Sequence, residues 1–133
     1  MTFQESVGSC FRQYATFTGR ASRSEFWWFW VFTLLVDVAA FIVSATLIGG
    51  SVTAVGGADG MSWFVATQGW LPGLVHLALF LPSLAVAIRR LHDVGRSGWW
   101  FLILFVPFGF FVLLFWWVQP SERMANRFGP PPA

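Results

Sequence analysis

The amino-acid sequence predicts an all-α membrane protein, with one interfacial amphipathic helix at the N-terminus followed by three transmembrane helices. Three observations lead there. Residues 26–48, 70–88 and 99–118 are long apolar runs, and the second and third contain no formally charged residue. Each is about the ~20 residues that a helix needs to cross a hydrocarbon core of ~30 Å. Composition agrees: 56% of the 133 residues are hydrophobic, 11% are charged, and there are nine tryptophans and sixteen phenylalanines. A soluble domain of this length carries roughly twice that share of charge. Finally, all eight basic residues are arginine, and they flank the apolar runs. A net charge of +2 without a basic stripe argues against a nucleic-acid binder. There is room for one small membrane domain, residues 1–133, and no second one. A lone cysteine, Cys10, excludes an internal disulfide.

The first element is an amphipathic helix over residues 3–18. Phe3, Val7, Cys10, Phe11, Tyr14 and Phe17 recur at spacings of three and four, which puts them on one face. Ahead of a membrane span such a helix lies in the interface or packs on the bundle, and the two are compatible. Ser22 and Glu25 then have the spacing of a capping box at the entry of the first span. Trp27, Trp28 and Trp30 suit the headgroup level. The run that follows is longer than the ~7–15 apolar residues of a signal peptide, so it reads as a retained helix.

Residues 49–69 are rich in glycine, serine and threonine with Asp59 as their only charge, and they predict a flexible loop on the far side. After the second span comes RRLHDVGRSG, Arg89 to Gly98, a polar clamp between two apolar runs. If the second helix continues to Val94 with Gly95 as its C-cap, Arg89, Arg90 and His92 face the negative end of its dipole. Asp93 is within reach of Arg89 or Arg90. Pro107 and Gly109 interrupt the third run, and a kinked full span is expected there. The alternative is a re-entrant hairpin, with halves of ~12–15 Å. Pro72 and Pro82 predict structural kinks. Residues 119–133 predict a short polar tail that is not a folded module. Three spans place six arginines on one side and Arg123 and Arg127 on the other. The positive-inside rule then gives a cytoplasmic N-terminus in a multi-pass protein of the bacterial inner membrane, and an exported C-terminus.

Four strings, FTGRASRSEFWWF, LPSLAVAIRRLHDVGRSGWW, FVPFGFFVLL and NRFGP, occur in an order and spacing that resembles domain-of-unknown-function family 805. The resemblance covers nearly the whole chain, and the glycine-rich loop, longer here, is the main departure. It implies a small multi-pass inner-membrane protein of bacteria and carries no activity with it.

Two groups of residues are candidates for chemistry. Arg20, Arg23, Arg89, Arg90, His92 and Arg96 are expected at one membrane face, with Glu25 and Asp93 as partial charge balance. They could anchor the loop and set topology, or bind an anionic lipid headgroup or an acidic partner, for which the arginine fork is suited. Asp37 and His76 lie at similar depths near mid-bilayer, about 16 and 18 Å from the cytoplasmic ends of their helices, and form an expected intramembrane polar pair. The adjacent His92 and Asp93 have the form of a metal-binding doublet, but too few further ligands accompany them. No metal, cofactor or enzymatic activity is expected. The leading expectation is a non-enzymatic accessory or structural protein whose arginine collar binds anionic lipid or an acidic partner; the alternative is a small transporter or channel component using Asp37 and His76. A homo-oligomer or a larger membrane partner is expected to complete so small a bundle.

Overall fold

The computed structural model describes residues 1–47 and 70–132. The expected loop at 49–69 lies outside the described residues. Among the described residues the architecture is helical, with no strand and a single isolated bridge between Asn126 and Gly129. Two compact units are formed, one by Met1–Val31 with Leu81–Ala133 and the other by Phe32–Phe80.

Helix α1 runs over Phe3–Arg12. Thr2 caps it by accepting from the Glu5 backbone N–H at 3.3 Å, while the Glu5 carboxylate accepts from the Thr2 N–H at 2.8 Å. The reciprocal pair satisfies two amides that the first turn leaves open. The helix stops six residues before the expected end at 18. Thr16, Phe17 and Thr18 are weak helix formers, and Gly19 turns the chain at φ 86°, leading it to a bond from Ala21 N–H to the Arg89 carbonyl at 3.1 Å.

Helix α2 spans Arg23–Leu47 and helix α3 spans Trp70–Asp93. At 25 and 24 residues they are ~36–38 Å long, enough to cross a bilayer core by length and composition. Both begin or end a few residues beyond the expected spans, because capping extends them past the apolar run. Helix α3 closes on a Schellman motif around Gly95, whose φ is 73°. The Arg96 N–H donates to the Leu91 carbonyl at 2.9 Å and the Gly95 N–H to the His92 carbonyl at 3.0 Å.

The third apolar run departs from the expected kinked full span and takes the form of the alternative hairpin. It folds as a 3-10 segment over Gly98–Phe105, a turn, and helix α4 over Gly109–Val118. The turn is closed by the Gly109 N–H on the Val106 carbonyl at 2.9 Å. Pro107 stands second in it, and Phe108, third, is left-handed at φ 65° and ψ 3°, the pattern of a type II turn. The limbs fold back on each other: Trp100 meets Trp116 with ring centroids 5.5 Å apart, and Phe101 meets Trp117 at 6.4 Å. Gly109 makes the approach feasible, since a Cβ there would overlap the Ile103 carbonyl oxygen. Eight 3-10 residues rise ~16 Å and ten α-helical residues ~15 Å, so the limbs match in length despite unequal residue counts. The sequence left the hairpin as its alternative because apolar content and length are the same for a kinked span and for a closed hairpin.

The tail also differs from expectation. Instead of trailing as a loose polar segment it packs on the end of α3, with the Glu122 N–H on the Asp93 carbonyl at 3.3 Å. Asn126 donates to the His92 carbonyl at 3.0 Å, and the Phe128 ring stacks on the His92 imidazole at 4.0 Å with planes 3° apart.

Candidate functional site

The expected collar exists as a cluster, but most of it points inward. Arg20, Glu25, Arg89, Arg90, His92 and Asp93 are all buried. Three guanidinium groups thus share the interior of one unit with two carboxylates. Such an arrangement persists only where each charge finds partners, since an unpaired charge in a low-dielectric interior is strongly disfavoured.

Asp93 is shared. Arg20 Nε donates to its Oδ1 at 3.0 Å, and Arg90, one turn back on α3, holds its Oδ2 through Nη1. Glu25 serves the third cation: Arg89 Nη1 lies 3.0 Å from Glu25 Oε1. The same carboxylate accepts from Ser9 Oγ at 2.9 Å and from Cys10 Sγ at 3.8 Å. Glu25 therefore pins α1 to α2 and α3. This corrects the expected capping box. Ser22 Oγ does accept from the Glu25 N–H at 3.1 Å, but the glutamate side chain turns to Arg89 and away from its own helix start. Neutralising a buried guanidinium outweighs one more bond to an amide at a helix end.

The remaining positive charge meets helix C-termini. Arg90 donates to the Trp117 carbonyl at 3.2 Å and to the Gln119 carbonyl, and exposed Arg23 reaches the Val118 carbonyl at 3.3 Å. These are open carbonyls at the negative end of α4. Arg20 gathers the tail, donating to the carbonyls of Glu122 at 2.6 Å, Met124 at 2.9 Å and Gly129 at 3.4 Å. Arg89 is the exception: its Nε and Nη2 are buried without a hydrogen-bond partner among the described residues. Burial, and next the Glu25 charge, push the Cys10 thiol up to about 12.

Other candidates are placed differently. His92 Nδ1 bonds the Gly19 carbonyl at 3.0 Å, so His92 and Asp93 are engaged with different partners. Arg96 is exposed and lies over the Trp116 ring at 4.9 Å. Arg23 is exposed at the lip of a groove of about 450 Å³ lined by Arg23, Ser24, Trp27, Trp28, Val31 and Val118. The expected anion-binding set therefore divides. Arg20, Arg89 and Arg90 spend their donors inside the protein, and Arg23 and Arg96 face outward. In the second unit Asp37 and His76 do meet, with His76 Nδ1 3.6 Å from Asp37 Oδ1, and their side chains are 36% and 62% exposed. Sequence reasoning missed Ser9, Glu122, Asn126 and Phe128. The asparagine and glycine of NRFG were a turn signal that could have marked the tail as structured.

The family model for proteins of unknown function named DUF805 matches residues 14–130. This chain belongs to that family. It is 39% identical over 126 residues to the inner membrane protein YhaI of Escherichia coli strain K12, covering 93% of this chain and 92% of the relative. It is 36% identical over 124 residues to the inner membrane protein YhaH of the same strain, covering 91% and 90%. No solved structure matches. The four strings that carry the family resemblance now have a structural reading. They supply Arg20 and Glu25, Arg89 to Asp93, the Gly109 turn, and the Asn126–Gly129 bridge, all within one unit.

Proposed function

We propose that this protein is a non-enzymatic accessory or structural component of the bacterial inner membrane. In this reading α2 and α3 cross the bilayer, and residues 98–118 dip into one leaflet and return. Both chain ends lie in the cytoplasm. One observation carries it: all eight arginines fall in the unit of Met1–Val31 and Leu81–Ala133, and none in residues 32–80. A hairpin that returns its end to Arg23 and Arg90 brings Arg123 and Arg127 to the same side as the other six, so the positive-inside bias becomes complete. The matched limbs of ~15–16 Å reach about half of a ~30 Å core. Phe105 and Phe108, beside and within the turn, are 85% and 80% exposed, as suits residues immersed in acyl chains.

The buried cluster has a structural role in this proposal, and binding belongs to the outer rim. Arg12, Arg23, Arg96, Arg123 and Arg127 are exposed against the exposed carboxylates Glu5 and Glu122. Each basic group near an anionic leaflet contributes ~1 kcal/mol, so the rim favours anionic headgroups over neutral ones. The groove beneath Arg23, with its tryptophan and valine walls, offers phosphate contact at the lip and apolar contact below. A transport path through Asp37 and His76 of a single chain finds no support in their openness.

Reporters fused after Ala133 and between Gly56 and Gly60 test the topology; cytoplasmic and exported signals, respectively, are expected. An exported C-terminus would overturn it. For the rim, Arg23, Arg96, Arg123 and Arg127 are replaced together by glutamine. Co-purifying anionic phospholipid should fall by more than half with insertion intact; unchanged lipid would reduce the rim to a topology signal.

A further inference from the structure

Asp37 and His76 pose a problem that one copy of the chain does not solve. They sit in the apolar stretches of α2 and α3 and touch at 3.6 Å, beyond normal hydrogen-bond length, with side chains 36% and 62% exposed. Their helical neighbours Leu34, Val38, Phe41, Leu74, Leu77 and Phe80 are exposed as well. On a soluble protein, water would complete the hydrogen bonding of both groups. In hydrocarbon no water does so, and a polar pair facing lipid is strongly disfavoured.

The chemistry of the pair specifies what would cover it. An acceptor carboxylate and a donor imidazole stand side by side on one open face. A two-fold axis through that face puts the second copy's imidazole against this carboxylate, and its carboxylate against this imidazole. Such an interface is self-complementary, as isologous contacts must be. A different membrane partner would have to supply a donor and an acceptor at the same spacing. Close approach is open too. Gly73 precedes His76 by nearly one helical turn, and a Cβ built there meets nothing within 4 Å. Bare backbone of this kind is where helices in membranes come together.

We propose that Asp37 and His76 form the centre of a two-fold interface between two copies of this chain within the bilayer, with reciprocal Asp37–His76 contacts across it. The proposal rests on the reading that α2 and α3 span the membrane, and the test separates the two. Full-length protein bearing either of two affinity tags is co-expressed, extracted in mild detergent, and examined for co-purification and mass. Carbonate resistance and the loop reporter are scored in parallel. The wild type should be dimeric. Asp37→His presents two imidazoles and His76→Asp two carboxylates, so each alone should lower the dimer association constant by on the order of 10- to 100-fold, from the loss of two reciprocal bonds. Co-expression of the two variants should restore hetero-pairing through matched acid and base. Gly73→Leu adds bulk where the single chain has open space, so it should insert normally and still weaken pairing, which keeps the test decisive if the polar variants fail to insert. A monomeric wild type that inserts correctly, unaffected pairing by Gly73→Leu, or capture of a different protein with no second copy would overturn the interface. Failure of carbonate resistance or of the reporter would overturn the spanning reading, and the interface with it.

Discussion

Replacing Glu25 with glutamine removes the carboxylate that neutralises Arg89, and the structure sets the scale of the loss. Arg89 and Glu25 side chains are 1% and 2% exposed and 3.0 Å apart, so water cannot take over either charge. Breaking a buried pair by removing one partner costs about 3–5 kcal/mol, because the survivor is left uncompensated. The amide introduced by Glu25→Gln would still offer a neutral oxygen to Ser9 and Arg89, which places that variant near the lower end. Arg89→Met leaves a buried carboxylate held by a hydroxyl and a thiol, and should reach the upper end. Combining both substitutions removes both charges and leaves a volume of similar shape, so its cost should be only about 0–2 kcal/mol. In a chain of 133 residues, 3–5 kcal/mol corresponds to roughly 10–20 °C in Tm. Thermal unfolding of the purified protein in one detergent, followed by tryptophan fluorescence, reads all three variants. A double variant as unstable as the sum of the single ones, or a Glu25→Gln shift below about 3 °C, would refute the claim that this pair is held by charge compensation.

Gly109→Ala drives a methyl into the Ile103 carbonyl oxygen, where backbone cannot yield as a side chain would. A loss of about 2–3 kcal/mol and faster proteolysis of the tail are expected, and unchanged Tm would mean that the limbs are not closed. The Cys10 thiol, raised from 9.0 to about 12 by burial, should resist maleimide at pH 8 until the protein unfolds. Its folded-state shift is upward, so its stabilising contribution is complete below pH 9, declines between about 9 and 12, and disappears in Cys10→Ala; an identical pH profile for the two proteins would contradict it. Phe128→Ala removes the ring stacked on His92 at 4.0 Å and should release residues 120–132 to protease while the helical circular dichroism signal stays constant. Continued protection of the tail would show that Arg20 and Asn126 hold it without the aromatic contact.

Local patterns determined much of this protein. Two uncharged or nearly uncharged runs of spanning length dictated long helices, and Gly95 after a basic last turn dictated where α3 stops. Position beside apolar runs led to an expected cluster of Arg20, Arg23, Glu25, Arg89, Arg90, His92, Asp93 and Arg96, of which the structure buries six and leaves Arg23 and Arg96 exposed. These are short-range consequences of hydropathy and capping, which read along the chain. What the sequence left undecided depends on partners distant in sequence. Whether an arginine faces lipid or protein turns on whether a carbonyl 27 to 109 residues away accepts from it, as Trp117 does for Arg90 and Gly129 for Arg20. Glu25 could cap its own helix or neutralise Arg89, and only the packed geometry selects the second. Residues 98–118 have the same composition as a kinked span and as a hairpin. The closed form depends on the absent Cβ of Gly109, which lets the Ile103 carbonyl oxygen come in across the turn. That contact is tertiary, and no periodicity in the run encodes it.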